Sequence, residues 1–118
     1  MDQGQLFDAE GGALVVRAVQ RTNRSWERLR GLLGRGPLLP DAGLLLDPCN
    51  SVHTCFMPYA IDVVYLDRAF TITRIVPGLR PWRASYGRSA HMTLELAAGS
   101  AARSGLGPGQ RLRWQPLR

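Results

Sequence analysis

The chain has 118 residues, a typical length for one domain and short for two, and 45% apolar with 20% charged residues excludes a disordered polypeptide, which carries fewer apolar and more charged residues. The formal net charge is +6 and all 15 basic residues are Arg, spread from Arg17 to Arg118 without a dense block, which argues against a dedicated nucleic-acid surface even though a basic domain attracts polyanions through its field. No segment is apolar for long enough to span a membrane, and the polar, acidic opening from Met1 to Glu10 is the opposite of a signal peptide, so the expectation is a cytoplasmic protein with no membrane partner.

In chain order, residues 1–12 read as a flexible lead-in ending at Gly11-Gly12, and 13–118 as a single domain. Ala13 to Val19 (ALVVRAV) is a short apolar run between glycines and polar residues, a strand pattern. Thr22 is placed to cap a helix. Trp26, Leu29 and Leu33 follow at i, i+3 and i+7, an apolar stripe at helical spacing that predicts the main helix, closed by Gly34. Arg24, Glu27, Arg28 and Arg30 fall off that stripe on the solvated side. Gly36-Pro37 and Pro40-Asp41 mark a loop, and Gly43 to Asp47 a strand.

Ser51 to Met57 (SVHTCFM) is predicted as a strand, with Val52, Thr54 and Phe56 on one face and His53, Cys55 and Met57 on the other. Asp62 to Leu66 and Phe70 to Val76 read as an antiparallel hairpin joined at Asp67-Arg68-Ala69, although that turn lacks the usual glycine. Pro77-Gly78 and Pro81 break regular structure around Trp82. Ala90 to Ala97 alternates as a strand, Gly99 to Leu106 reads as a short helix capped by Ser100, and Arg111 to Trp114 as a last strand. The pattern predicts an α+β class: a small, β-rich, barrel-like antiparallel or mixed sheet with one main helix packed on it.

Several of these segments occur in a recognisable order. Arg30-Gly31-Leu32-Leu33-Gly34-Arg35 is followed by Cys49, by Ser51-Val52-His53-Thr54-Cys55-Phe56-Met57, by Ile61 to Asp67 (IDVVYLD), by Pro81-Trp82-Arg83, by Leu94-Glu95-Leu96 and by Ala98-Gly99. From about Leu14 to Trp114 the chain resembles the domain-of-unknown-function family 192, also called uncharacterised protein family 0127. The resemblance implies a compact, mostly β, barrel-like fold with the early helix packed on it, and it implies no established activity. Members of that family occur with and without export signals. The family usually carries a basic residue after the motif methionine and a proline two positions later, where this chain has Pro58 and Ala60.

The chemistry-bearing residues gather in the same motif. Cys49 and Cys55 on one extended strand would stand roughly 20 Å apart, well beyond the ~7 Å a disulfide allows, so free thiols and a reducing compartment are expected. His53, Cys55 and Met57 are soft donors suited to copper or zinc, but same-face neighbours on a strand are about 6–7 Å apart, so no metal or other cofactor is expected. Cys49 or Cys55 with His53 would make a nucleophile and base, oriented by Asp62 or Glu95. Asp62 interrupts an apolar run and is either at a strand mouth or buried against Arg35, Arg74 or Arg83. Alternation puts Glu95, with His91, on an outer face. Trp82, between Pro81 and Arg83, is the aromatic best placed for ligand contact or, equally, for plugging one end of the sheet.

These readings lead to a binding or accessory domain whose ligand, a small molecule or a protein, meets Cys49, His53, Asp62 and Trp82 at one spot. A small cysteine/histidine-dependent enzyme is the rival. A peptide-binding module is a third possibility, because Gly99 to Gly109 looks like the helix-and-turn passage of PDZ domains. Nucleic-acid binding by the Arg-rich helix is a fourth.

Overall fold

The computed structural model describes residues 1–22 and 38–117. Over them the strands are β1 (Asp2–Asp8), β2 (Leu14–Arg21), β3 (Ala42–Leu46), β4 (Ser51–His53), β5 (Ile61–Leu66), β6 (Ile72–Leu79), β7 (Ala84–Tyr86), β8 (Met92–Ala97) and β9 (Leu112–Pro116), with helix α1 (Ser100–Arg103) between β8 and β9. Seven strands form a mixed sheet in the order β6-β5-β8-β3-β2-β1-β9, and β4 and β7 form a separate two-stranded sheet. β2 and β3 run parallel, and the other pairs are antiparallel. Among the described residues no helix is long and apolar enough to cross a membrane.

Side-chain alternation assigns the two faces of the main sheet. On β5, Ile61, Val63 and Tyr65 join one apolar cluster with Leu44, Leu46 and Met57, while Val64 and Leu66 join another with Leu6, Val16, Leu45, Met92, Leu94, Leu96 and Leu112. All six residues of β5 are buried, so both faces of the sheet centre are covered. The second cluster draws on strands from one end of the sheet to the other. The first lies beneath the segments around β4 and β7, with Cys49, Val52, Tyr59 and Ala90 packed against it.

The structure corrects several expectations. The lead-in over 1–12 is instead strand β1, paired with both β2 and β9, and buried Leu6 holds it to the core. The hairpin of β5 and β6 forms as predicted despite its glycine-free turn, because the Asp67 carboxylate accepts from the N–H groups of Ala69 and Thr71, each at 2.9 Å. Pro77-Gly78 does not end β6, which lies at the sheet edge, where a strand tolerates proline. The short helix is N-capped by Gly99 in the left-handed region rather than by Ser100, whose hydroxyl donates to the Pro40 carbonyl (3.2 Å). The main helix predicted after Thr22, with the arginines at its face, lies outside the described residues; the Thr22 hydroxyl itself accepts from the Asp47 N–H (3.0 Å) at the end of β3.

Candidate functional site

The SVHTCFM run is strand only over Ser51–His53, so His53, Cys55 and Met57 do not share a strand face. The chain turns at Thr54, and this residue organises everything around it. Its N–H donates to the Arg83 carbonyl (2.8 Å), and its carbonyl accepts from the N–H groups of Met57 (3.2 Å) and Trp82 (3.1 Å). Its hydroxyl donates to the Arg80 carbonyl (2.6 Å) and accepts from the Arg83 N–H (2.9 Å). Thr54 is fully buried. One side chain and its own peptide groups therefore clamp the 54–57 turn against the 80–83 turn, while buried Met57 anchors the first turn in the core.

The clamp sets two aromatic side chains side by side. Phe56 and Trp82 have ring centroids 4.7 Å apart with planes at 61°, an edge-to-face contact. Both sit in the left-handed backbone region, at φ 67° and 62°, a conformation that costs a bulky residue on the order of 1–3 kcal/mol. Burial does not offset that cost, because Phe56 is 75% and Trp82 58% exposed. Tyr86, at the end of β7, is a third exposed aromatic. A shallow cleft of about 480 Å³ runs beside them, lined by Ser51, Val52, His53, Ala84, Ser85 and Tyr86.

The segments that carry these aromatics hold charge of one sign. The sequence from Arg68 to Leu94 holds five arginines and no carboxylate, and 48–61 holds no charged residue at all. Arg80, Arg83 and Arg88 are exposed. The ion pairs among the described residues lie elsewhere, at Arg17–Asp41, Arg21–Asp47 and His91–Asp47. Arg74 donates to the Tyr86 carbonyl (2.6 Å) and Arg83 to the Trp82 carbonyl (3.3 Å), so neither charge is neutralised there.

The four residues expected to converge do not all meet. Trp82 and His53 lie on adjoining parts of one surface: His53 is exposed at the end of β4, paired in register with Ala84. Cys49 turns inward, its thiol donating to the Ser51 carbonyl (3.0 Å) and its carbonyl accepting from the Thr93 hydroxyl (2.8 Å). Asp62 lies on the opposite face of the sheet. It is buried without any arginine partner among the described residues, and its carboxylate accepts from the Gly78 N–H (2.8 Å) and the Ala101 N–H (2.9 Å). It thus supplies from a distance the cap that α1 lacks. Among the described residues, no three His, Cys, Asp or Glu side chains lie close enough to hold a metal ion. Cys49 and Cys55 are free thiols.

Sequence reasoning missed the buried polar groups beneath this surface. Glu95 is only 4% exposed, because β8 is flanked by β3 and β5 and covered on both faces. Its Oε2 has no hydrogen-bond partner, and burial holds its carboxyl up at about 7, from an ordinary 4.5. The hydroxyls of Tyr65 and Ser85 are likewise buried without a completed hydrogen bond. Burial pushes the Tyr65 phenol up, opposed by the nearby Ser85 hydroxyl and Arg74 and reinforced by Cys49 and Glu95. Phe56 was also hidden from the sequence, because strict alternation pairs it with buried Thr54. The proline that follows Met57 was the one local sign that the strand ends early.

A model of the family DUF192, described as an uncharacterized ACR, matches residues 7–114. A solved structure from Sinorhizobium meliloti 1021, a provisionally assigned transcription regulator, is similar with a TM-score of 0.80 at 25% identity, covering 96% of this chain and 92% of that one. A protein of unknown function from Novosphingobium aromaticivorans DSM 12444 shares the fold with a TM-score of 0.78 at 19% identity, covering 95% of this chain and 84% of the other. No curated protein matches the chain.

Proposed function

We propose, from the premise that the chain belongs to the DUF192 family of uncharacterised proteins, that it is a binding or accessory domain whose recognition surface is the exposed Phe56–Trp82 pair. One observation carries this reading: two large aromatic rings are held in solvent on left-handed backbones that glycine would occupy without cost. Strain of this kind is retained where the side chain does something that stability does not require. His53 and the cleft along β4 and β7 adjoin the pair and extend the surface. The cysteine–histidine enzyme is the weaker reading. The Cys49 thiol is directed at a backbone carbonyl, and Asp62, expected to orient the imidazole, serves α1 on the far face.

Two finer points accompany this reading. The sheet curls toward a barrel, supported by the Thr71–Arg111 bridge and by hydrogen bonds from Ile72 to Gln110 (2.8 Å) and from Leu112 to Phe70 (2.9 Å), which link the β6 and β9 ends. The free cysteines support a reducing compartment, hence the cytoplasm.

The test replaces each ring by glycine. In Phe56→Gly and Trp82→Gly, relief of the left-handed strain, about 1 kcal/mol, offsets the lost ring pair, about 0.5–1.5 kcal/mol. Urea unfolding should place both variants within about 1 kcal/mol of the parent. Binding of anilinonaphthalene sulfonate, an anionic aromatic dye, should fall in both. A loss of more than about 3 kcal/mol, the scale of emptying a core aromatic, would make the rings structural and end the proposal. Rapid carboxymethylation of Cys49 by iodoacetamide near neutral pH would instead favour the enzyme.

A further inference from the structure

We infer that the partner of this surface is an acidic, extended peptide segment of another protein, which lays an apolar side chain against Phe56 and Trp82 and aligns its backbone with the small β4–β7 sheet. The inference rests on the recognition reading above and names the partner class for that same surface.

Three observations select this occupant. The first is charge. Arg80 and Arg83 lie within two residues of Trp82 in the chain and Arg88 within two of Tyr86, all three exposed, and no carboxylate lies in the stretch from Arg68 to Leu94 that carries them. A second copy of this chain is disfavoured at the same face, because a two-fold contact would set Arg80 and Arg83 against their own images. A partner bearing Asp or Glu meets the opposite condition.

The second is backbone. Gly87 donates to the Asn50 carbonyl and Thr54 to the Arg83 carbonyl, both at 2.8 Å. In the antiparallel register Val52↔Ser85, this makes Ser51↔Tyr86 and His53↔Ala84 the pairs whose peptide groups point outward; the Ser51 carbonyl accepts from the Cys49 thiol and the Tyr86 carbonyl from Arg74, which leaves the edge open at the His53 and Ala84 end, next to the aromatic pair. Among the described residues no further strand pairs with either outer edge. Open strand edges are templates that a polypeptide can extend and that nucleic acid and lipid cannot.

The third is shape. The cleft lined by Ser51, His53, Ala84, Ser85 and Tyr86 runs along that same pair of strands. An extended segment therefore meets apolar rings, arginines and the outward peptide groups of His53 or Ala84 together.

Fluorescence polarisation with the full chain tests the inference. The probe is a fluorescein-labelled octapeptide of alternating Glu and Val, compared with its Lys-for-Glu counterpart, with a version N-methylated at alternate residues, with a labelled oligothymidine and with phosphatidylglycerol vesicles. The expected result is saturable binding of the acidic peptide alone. That binding should weaken several-fold between roughly 50 and 200 mM salt, at least tenfold with Trp82→Gly, several-fold with Arg80→Ala combined with Arg83→Ala, and at least tenfold on N-methylation. Equal binding of the N-methylated peptide would overturn the strand-pairing claim. Binding of the oligonucleotide or the vesicles in place of the peptide would overturn the partner class. If the peptide does not bind while the dye still binds in a Trp82-dependent manner, this inference fails and the recognition reading stands; if the dye is also indifferent to Trp82, both fail.

Discussion

Glu95 makes the stability of this protein fall as the pH rises through neutrality. Its carboxyl is 4% exposed, Oε2 has no partner, and burial alone raises it to about 7 from an ordinary 4.5. The folded state therefore holds the proton more tightly than the unfolded state. The resulting stabilisation is fully present below about pH 4.5, is lost as the pH rises through about 7, and changes no further above that. A gap of about 2.5 pH units at 1.36 kcal/mol each amounts to about 3 kcal/mol in all. About 2.5 kcal/mol of it disappears between pH 5 and pH 8. Glu95→Gln keeps the shape of the protonated side chain and cannot ionise. Urea unfolding of parent and variant at several pH values gives their difference, in which any pH dependence the two proteins share cancels. The variant should be near parity around pH 5 and more stable than the parent by roughly 2–3 kcal/mol around pH 8. A difference that stays constant from pH 5 to pH 8 would refute the reasoning, because it would show that Glu95 does not change its protonation across that range in the folded protein.

Asp62→Ala strands the N–H groups of Gly78 and Ala101, each of which donates to the carboxylate, and should cost about 3–5 kcal/mol. Dye binding measured below the unfolding transition should be unchanged, because Asp62 serves the opposite face of the sheet; a parallel loss of binding would return it to the site. Thr54→Val removes the hydroxyl that bridges Arg80 and Arg83 and should cost about 1–3 kcal/mol by leaving two part-buried peptide groups without that partner. It should also shift and broaden the Trp82 indole resonance in NMR spectra of the folded variant, and an unaltered indole signal would show that the clamp does not set the aromatic pair.

Much of the β framework was legible one segment at a time. β2, β3, β5, β6, β8 and β9 all announce themselves through apolar alternation or short apolar runs, and the β5–β6 hairpin follows from their proximity in sequence. The family motif was equally local, since residue order carries it; the cysteines are free as expected, although Cys49 and Cys55 do not share the extended strand from which that was argued. β1 was read as a loose end because its run is largely polar; its hairpin with β2 is local, but its second ladder, with β9 at the far end of the chain, lies in no local window.

The site was only half legible for the same reason. Composition and spacing determined that this is a basic, β-rich domain, and led to the expectation that its reactive residues gather near His53 and Trp82. Tertiary structure alone decided which of them face outward. Alternation says that Asp62 and Glu95 point away from their chain neighbours, but not whether protein or water lies on that side; cover on both faces buries the two of them. Phe56 and Trp82 become a pair only because Thr54, reaching across to residues 80–83, ties two distant turns together. A sequence records local conformational preference. Burial and convergence are properties of what other segments bring into contact, and those contacts exist only once the chain has folded.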